Sequence, residues 1–298
     1  MRRVLTIAAV LTFVFASCGG NTVSKEDPDN PYEWGGGKDE NGGSGSEGKT
    51  YYPKPEGSFR IVTYNVGAFC KYISVMNQNI GLVAGIIKEV EADAVGLNEL
   101  DSVNARHNAD QLALLAKELG GWQWHFGKGI DYRGGSYGNG VVVPKGVVVV
   151  DRYTVPLPNT TGFESRSIAV LETDRYVLAA SHLDHSSEEY IQSQIAAVNS
   201  WAQSRYLDYA KPVFFLGDMN AVPSSDALKS LKACWDVISS QENTAGGTAP
   251  ATKCIDYVFH YRKSAPVKVL GSHTISRTYC GDVSKASDHL PVYVDVTF

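Results

Sequence analysis

Short clusters of polar residues stand at the ends of the apolar segments in this 298-residue sequence. They supply carboxylates, carboxamides and imidazoles, which are the side chains that bind hard cations and transfer protons near neutral pH. The clusters are Thr63-Tyr64-Asn65, Asn98-Glu99, Tyr137-Gly138-Asn139, Ser181-His182-Leu183-Asp184, Gly217-Asp218-Met219-Asn220, Ile255-Asp256-Tyr257 and Ser287-Asp288-His289. Brought together, such groups predict a catalytic site for a phosphate ester, because a cation can neutralise the phosphoryl oxygens while a neighbouring side chain moves a proton.

Hydrophobic periodicity divides the chain after residue 57 into short strands and a few helices. Several strands are apolar throughout, as in a sheet covered on both faces, and a block of strands without helices indicates antiparallel pairing. Strands are predicted over 59–66, 94–99, 122–126, 139–143, 146–151, 167–171, 176–181, 213–217, 256–259, 267–271 and 292–296, and helices over 77–90, 110–119, 188–206 and 224–231. Two packed mixed sheets with helices outside satisfy these patterns, so we predict one α/β domain over 58–298 without an internal linker.

The composition and charge exclude one class of binding protein. Hydrophobic residues make up 43% of the chain, which is enough for a large core. The formal net charge is −5, and removing Arg2 and Arg3 makes it −7. A mildly acidic chain lacks the basic surface of a dedicated nucleic-acid-binding protein, so we expect no nucleic-acid-binding patch. A nuclease is compatible with this charge, since a cation and one arginine can neutralise a phosphate locally.

The N-terminal residues have the pattern of an export signal. Arg2 and Arg3 precede an apolar run over 4–15 that is too short to span a bilayer, followed by Ala16-Ser17-Cys18. Because a cysteine after two small residues resembles a bacterial lipobox, we predict a signal peptide over 1–17 and a lipid anchor at Cys18. An ordinary signal peptide with an incidental cysteine is the alternative.

The segment 18–57 is rich in Gly, Ser, Asn, Asp and Glu, and it predicts a flexible tether between the anchor and the folded domain. An acidic stretch soon after a lipidated cysteine resembles the surface-export signal of some Gram-negative lipoproteins. We therefore expect an outer-membrane or cell-surface lipoprotein of a Gram-negative bacterium, with the periplasmic face as an alternative. We also expect a monomer.

Four cysteines remain after Cys18, and an exported domain permits disulfides between them. Four cysteines allow three pairings. We favour Cys234 with Cys254, which leaves Cys70 and Cys280 on two loops beside the predicted site.

The ordered motifs resemble those of the endonuclease/exonuclease/phosphatase superfamily, which includes pancreatic-type deoxyribonuclease, abasic-site endonucleases, neutral sphingomyelinases and inositol polyphosphate 5-phosphatases. The resemblance covers the chain from Ser58 to Phe298 and rests on the clusters above together with Glu164-Ser165-Arg166. One departure is Asn98, where the family commonly has Gln before the metal-binding Glu. The resemblance implies a four-layer α/β/β/α sandwich with the site at one rim between two sheets.

The resemblance also implies a Mg²⁺ or Mn²⁺ cofactor. Glu99 would be its main ligand, with Asn65 and Asp288 nearby. Mg²⁺ keeps most of its waters and takes one or two protein carboxylates, so a cage of His and Cys ligands is not required.

Catalytic roles carry over to further positions. Asp218 would orient or deprotonate the attacking water, and Asn220 would hold a phosphate oxygen. His182 and His289 would flank the scissile phosphate, with Asp256 fixing the tautomer of one imidazole and raising its pKa.

Three residues are expected to bind the substrate. Arg166 would supply fixed positive charge, and Asn139 and Tyr137 would add hydrogen-bond donors. By default, however, Tyr137-Gly138-Asn139-Gly140 has the composition of a hairpin turn.

We therefore predict an exported Mg²⁺- or Mn²⁺-dependent phosphoesterase that cleaves phosphodiesters in preference to monoesters. Nucleic acid, phospholipid head groups and small phosphorylated sugars or nucleotides are the competing substrate classes. The alternative function is a non-catalytic surface binding module on the same scaffold.

Overall fold

The computed structural model describes residues 48–69, 78–159, 164–246 and 251–298. The predicted signal peptide, Cys18, the tether up to residue 47 and Cys70 lie outside the described residues. The last part of the predicted tether contacts the domain, because the Lys54 ammonium pairs with Asp93 at 2.5 Å and the carbonyl of Tyr52 accepts a hydrogen bond from Arg60. Tyr52 and Lys54 are therefore attached to the domain that begins with β1.

The described residues form twelve strands and four α-helices. The strands are β1 (Phe59–Asn65), β2 (Ala94–Ser102), β3 (Gln123–Tyr132), β4 (Gly135–Val143), β5 (Val149–Pro156), β6 (Ser167–Thr173), β7 (Val177–Ser181), β8 (Val213–Asp218), β9 (Trp235–Val237), β10 (Asp256–Tyr261), β11 (Lys268–Thr274) and β12 (Val292–Thr297). The helices are α1 (Gln78–Glu89), α2 (Gln111–Glu118), α3 (Glu188–Tyr206) and α4 (Asp226–Leu231). The predicted elements are all present, and the short strand β9 was not predicted.

The strands form two mixed six-stranded sheets. The first has the order β11-β12-β1-β2-β4-β3 and the second the order β5-β6-β7-β8-β10-β9. β1 pairs with β2 in parallel and β7 pairs with β8 in parallel, whereas the other neighbours are antiparallel. This arrangement confirms the prediction of two mixed sheets.

Three apolar clusters hold four layers together. One lies between the two sheets and includes Val141, Leu216 and Val294. A second packs α1 and α2 on the outer face of the first sheet, and a third packs α3 and α4 on the outer face of the second sheet. Both faces of each sheet are therefore covered, which explains why the central strands are apolar throughout and confirms the four-layer sandwich.

The helices begin at residues whose side chains cap free backbone N–H groups. Asp110, Ser187 and Ser225 accept hydrogen bonds from the N–H three residues later and start α2, α3 and α4. Among the described residues, no helix is both long and apolar enough to cross a membrane.

Tyr137-Gly138-Asn139 lies inside β4, so the hairpin turn expected there is wrong. The turn between β3 and β4 is instead at Arg133 and Gly134, which have φ angles of 46° and 85°. Two successive positive φ angles are typical of the turns that connect tight hairpins. Gly138 allows β4 to lie close to β3, because a Cβ there would be 2.1 Å from the Gly127 carbonyl oxygen.

Cys234 and Cys254 are free thiols, which contradicts the favoured disulfide. β9 is antiparallel to β10, and the Arg262 N–H donates to the Cys234 carbonyl beyond the carboxyl end of β10. Cys254 precedes the amino end of the same strand. β10 alone spans six residues, roughly 20 Å at about 3.3 Å per residue, whereas a disulfide joins Cα atoms about 6 Å apart.

Candidate active site

The polar clusters meet at one edge of the two sheets because of the strand directions. β1 and β2 are parallel with Asn65 opposite Asn98, so polar side chains at the carboxyl end of β1 lie beside those at the bulge within β2. β8 and β10 are antiparallel with Asp218 opposite Asp256, so the end of one strand adjoins the start of the other. The two histidines reach the same edge, since His182 follows β7 and the segment before β12 carries His289.

A bulge in β2 brings Glu99 to the rim. The register between β2 and β4 shifts between Leu97 and Leu100, and Glu99 has a φ angle of 60°. A bulge bends the strand and redirects side chains that would otherwise alternate between faces. A positive φ at a glutamate is strained, and such strain is concentrated at functional sites.

Asn65 connects two of the predicted site carboxylates. Its Nδ2 donates to Glu99 Oε1 at 3.0 Å and to Asp218 Oδ2 at 3.1 Å. Its Oδ1 accepts the N–H of Gly67 at 3.1 Å. Asn65 therefore presents its amide nitrogen to the site, and it positions Glu99 and Asp218 in this arrangement. A direct bond from Asn65 Oδ1 to a cation among these carboxylates would require the side-chain amide to rotate and exchange the positions of its oxygen and nitrogen.

Asp256 and His289 form a buried hydrogen-bonded pair. His289 Nδ1 lies 2.8 Å from Asp256 Oδ2, and the Thr244 hydroxyl donates to the same oxygen at 2.6 Å. Burial favours the neutral imidazole, but the Asp256 carboxylate outweighs it and raises the pKa of His289 to about 10. His289 is therefore an imidazolium at neutral pH, as predicted for one of the two histidines, and its Nε2 lies 3.7 Å from Asp218.

His182, in contrast, is neutral. Asn220 Nδ2 lies 3.0 Å from His182 Nε2 and donates to the Leu183 carbonyl at 3.0 Å, so Nε2 of His182 is an acceptor. Burial, together with the nearby Arg166 guanidinium, lowers the pKa of His182 to about 4. The two histidines flank Asp218, but only His289 carries a proton to give at neutral pH.

Asp218 lies between the two imidazoles, and hydrogen bonds fix both its carboxylate and its backbone. Its Oδ1 accepts the backbone N–H of Asn220 at 2.9 Å, and its Oδ2 lies 3.5 Å from His182 Nε2. Its own N–H donates to Asn98 Oδ1 at 2.9 Å. The carboxylate is almost completely buried, and its orientation is set by Asn65 and Asn220.

Arg166 and Tyr137 line the side of the site near Glu99. Arg166 is buried, pairs with Glu164 at 3.4 Å, and lies 3.2 Å from His185 Nδ1. Its Nε has no hydrogen-bond partner among the described residues. Burial and the negative charge of Glu99 raise the pKa of Tyr137, so its hydroxyl keeps its proton and can donate.

Asp288 is held next to the Asn65 end of β1. The Ser287 hydroxyl donates to the Asn65 carbonyl at 2.7 Å and also accepts the N–H of His289. This turn places Asp288 close enough for its charge to contribute to the raised pKa of His289. The Asp-His dipeptide is thus connected to β1 through a serine.

Asn139 does not present its amide to the cleft. Its oxygen accepts from Asn98 at 2.9 Å, its nitrogen donates to the Ser167 carbonyl at 3.1 Å, and its side chain is buried. The direct substrate contact predicted for Asn139 therefore has no support in this arrangement.

Sequence analysis missed Thr244 and the structural use of Asn98. Thr244 orients Asp256 from a segment without a strong secondary-structure pattern, so no sequence signal marks it. Asn98 stood in the Asn98-Glu99 cluster without a role of its own, although its hydrogen bond with the Asp218 N–H places it in the site.

The closest group of potential metal-binding atoms in the described residues consists of Asp218, Asp256 and His289, whose ligand atoms lie within 4.8 Å of one another. The 2.8 Å contact between His289 and Asp256 is a hydrogen bond, so no cation fits between those two atoms. The oxygen donors that remain for a hard cation are the carboxylates of Glu99, Asp288 and Asp218.

Comparisons with known proteins agree with the fold. A family model described as the Endonuclease/Exonuclease/phosphatase family matches residues 62–289. No curated protein matches the chain.

Solved structures share the fold. An endonuclease/exonuclease/phosphatase from Beutenbergia cavernae DSM 12333 is 23% identical over 81% of this chain and 72% of its own, with a TM-score of 0.62. A mannosyl-6-phosphatase from Bacteroides thetaiotaomicron VPI-5482 is 15% identical over 81% of this chain and 100% of its own, with a TM-score of 0.62. The human Nocturnin catalytic domain with a bound sulfate anion is 18% identical over 81% of this chain and 93% of its own, again with a TM-score of 0.62.

Proposed function

The chain belongs to the endonuclease/exonuclease/phosphatase family, and from this premise we propose that it is a Mg²⁺- or Mn²⁺-dependent phosphodiesterase. Members of this family are generally phosphoester hydrolases. The observation that carries the proposal is the contact of Asp218 with a protonated His289, because the pair supplies a proton acceptor and a proton donor at one point of the rim.

The charges at the rim fit a divalent cation. Five carboxylates lie at or beside the rim (Glu99, Glu164, Asp218, Asp256 and Asp288), against two cationic side chains, His289 and Arg166. Asn65 Nδ2 donates to both Glu99 and Asp218, so two carboxylates meet at one amide group, and a cation beside them would reduce their mutual repulsion. Glu99 and Asp288 would hold the cation, with Asn65 orienting the first of them. When bound, the cation supplies positive charge to the phosphoryl oxygens and makes a water more acidic.

Asp218 is the group best placed to accept a proton from the attacking water. Hydrogen bonds from Asn65 and from the backbone of Asn220 fix both of its oxygens, so the carboxylate is held in one orientation. Such fixed orientation reduces the entropy cost of reaching the reactive geometry.

His289 is the group best placed to protonate the leaving oxygen. Its Nδ1 side is held by Asp256, which leaves Nε2 directed toward Asp218 and the cleft. An imidazolium can donate a proton in the transition state, and general acid catalysis of this kind contributes about 10²–10⁴-fold.

His182 has a positioning role here, since its neutral ring accepts from Asn220. Arg166 and the Tyr137 hydroxyl supply a positive charge and a donor for the non-bridging phosphate oxygens. The buried Nε of Arg166, which lacks a hydrogen-bond partner among the described residues, supports an anionic ligand at this position.

The charge count favours diesters. A phosphodiester carries one negative charge and a monoester carries nearly two at neutral pH. With five carboxylates, two cationic side chains and one divalent cation, the site keeps a net negative charge. A diester adds one further negative charge to it, whereas a monoester adds nearly two and is repelled more strongly. Monoesters are therefore expected to be poorer substrates.

We also propose that the enzyme is an exported lipoprotein anchored at Cys18, on the basis of the sequence over 1–18. Wild-type protein should partition into membrane or detergent fractions, and Cys18→Ala should release it. Wild-type protein that is entirely unlipidated and free of membranes would contradict the anchor while leaving the catalytic proposal intact.

The experiment that tests the proposed function compares wild type with Asp218→Asn and His289→Ala on bis-p-nitrophenyl phosphate and on a phosphodiester with an alkyl leaving group. Asp218→Asn should lower turnover of both esters by at least about 10²-fold. His289→Ala should lower turnover of the alkyl ester much more, because p-nitrophenolate leaves without a proton. Asp236→Asn, which removes an exposed carboxylate on β9, is the matched control. Folded variants with wild-type turnover would contradict the roles of Asp218 and His289, and folded wild type without turnover would favour a non-catalytic binding module.

A further inference from the structure

Asn98 and Asn139 form a hydrogen-bonded bridge between the two sheets directly beneath the site. Asn98 on β2 accepts the Asp218 N–H of β8 at 2.9 Å and donates to Asn139 Oδ1 on β4 at 2.9 Å. Asn139 then donates to the Ser167 carbonyl on β6 at 3.1 Å. The bridge therefore joins the first sheet to the second sheet twice.

We propose that Asn98 and Asn139 are positioning residues that hold the backbone of Asp218 at a fixed distance from Glu99. The proposal rests on the proposed role of Asp218 as the proton acceptor. Asn98 is adjacent to Glu99 in the β2 bulge, so one side-chain amide connects the chain segment that carries the predicted metal ligand with the backbone that carries the predicted base.

Burial makes this bridge rigid. Asn98 has no exposed surface, and Asn139 and Asp218 are 3% and 2% exposed. Water cannot compete for hydrogen bonds at such positions, and a donor or acceptor that loses its partner there stays unsatisfied. The amide of each asparagine engages protein with both its oxygen and its nitrogen.

The bridge also requires a side chain of the length of asparagine. Gly217, next to Asp218, has a φ angle of 137°, and a Cβ there would lie 3.0 Å from Asn98 Oδ1 and 1.9 Å from the Ser181 carbonyl. The backbone of β8 therefore approaches Asn98 closely. A glutamine at position 98, which the family commonly has, is one methylene longer and would displace Asp218 or lose the contact with Asn139.

The hydrogen bonds of the bridge continue from Ser167 to β7 and to β3. The Ser181 hydroxyl donates to the same Ser167 carbonyl at 2.9 Å, and the Ser167 hydroxyl donates to the Gly127 carbonyl at 3.2 Å. His182 follows Ser181 directly. The same network therefore fixes the strand end that carries the neutral histidine.

The test uses Asn98→Ala, Asn139→Ala, the double variant and Asn98→Gln in the full chain. The substrate is bis-p-nitrophenyl phosphate. Each alanine variant should lower kcat by roughly 10–100-fold and change KM by less than about 3-fold, because the substrate does not touch the bridge. The double variant should lose no more than the worse single variant, since either change breaks the same bridge. Asn98→Gln should behave like Asn98→Ala.

The matched control is Asn199→Ala. Asn199 lies on α3, where its amide donates to the Ser230 carbonyl and accepts from the Trp235 indole, so it loses two hydrogen bonds away from the site. This variant should keep the wild-type kcat. Multiplying losses in the double variant, an increased KM at unchanged kcat, or unchanged kcat in folded Asn98→Ala would overturn the proposal.

A readout without turnover separates this proposal from the proposed function. The Asp218 amide should exchange slowly in wild type and at least tenfold faster in Asn139→Ala, as followed by hydrogen exchange. If wild type hydrolyses no phosphoester, the proposed function fails, and exchange still decides whether the bridge fixes Asp218. If the alanine variants do not fold, fast exchange of the Asp218 amide in wild type overturns the proposal and slow exchange supports it.

Discussion

Replacing Asp256 by asparagine should lower the pKa of His289 into the physiological pH range. The Asp256 carboxylate is the interaction that overcomes burial and raises the pKa of His289 to about 10 from an ordinary value of 6.5. Asparagine occupies the same volume without the charge, so Asp256→Asn should return this pKa to about 6.5 or below. The general acid would then lose its proton above neutral pH.

The expected loss depends on pH in a way that can be calculated. At pH 6.5 about half of His289 would remain protonated in Asp256→Asn, and at pH 8 only about 3%, whereas wild type stays fully protonated at both values. The ratio of wild-type to variant kcat/KM should therefore rise from about 2 at pH 6.5 to about 30 at pH 8 from protonation alone. A cation bound at Glu99 would lower the pKa in both proteins alike, so the difference between the two profiles is the quantity to measure.

The assay is the pH profile of kcat/KM for a phosphodiester with an alkyl leaving group, at saturating Mg²⁺ between pH 5.5 and 9.5. The p-nitrophenyl ester, measured in parallel, should show a much smaller ratio because its leaving group needs no proton. Asp236→Asn removes an equal charge from an exposed position and should leave the profile unchanged. A basic limb at the same pH in wild type and in folded Asp256→Asn would refute the assignment of His289 as the acid.

Three further outcomes are expected. Glu99→Gln should raise the Mg²⁺ or Mn²⁺ concentration needed for half-maximal activity by at least about tenfold, with little change in melting temperature; activity that persists in excess chelator would contradict this. Because burial lowers the pKa of His182 to about 4, the unfolded chain binds a proton that the folded chain does not between about pH 6.5 and 4. Stability should therefore fall over this interval by on the order of 3 kcal/mol more in wild type than in His182→Gln, as measured by denaturant unfolding at both pH values. Non-reducing peptide mapping should recover Cys234 and Cys254 as thiols, and Cys254 should react with alkylating reagents only on unfolding, because burial raises its pKa to about 11; a bridged peptide would contradict the strand register.

The sheet architecture could be predicted because hydrophobic periodicity reports burial directly. Residues of β7 and β8 are apolar on both faces, and they are buried between a helical layer and the opposite sheet. The strand-end position of Asn65 and Asp218 follows from the same pattern, since polarity begins where each strand leaves the core, whereas Glu99 reaches the rim through the bulge inside β2. The pairing of one histidine with Asp256 was also correct, although the sequence did not say which histidine.

Other features depend on distances between strands that the sequence does not encode. The favoured disulfide failed because Cys234 and Cys254 lie at opposite ends of β10. Burial lowers the pKa of both imidazoles and Arg166 lowers that of His182 further, whereas the Asp256 carboxylate outweighs burial at His289. Asn139 has a polar side chain near the site, but the register of β4 turns it toward the opposite sheet instead of the cleft.

Whether the protein is a metal-dependent phosphodiesterase is decided by an assay of the purified domain over residues 50–298. Hydrolysis of a matched panel of phosphodiesters and phosphomonoesters is measured with Mg²⁺, with Mn²⁺ and with chelator. The panel should include an oligonucleotide, a choline phospholipid and small sugar phosphates. We expect metal-dependent release of product from at least one diester, with monoesters slower and chelated samples inactive. Absence of hydrolysis of every ester with either metal, by folded protein, would contradict the account, and faster cleavage of monoesters would overturn the preference for diesters.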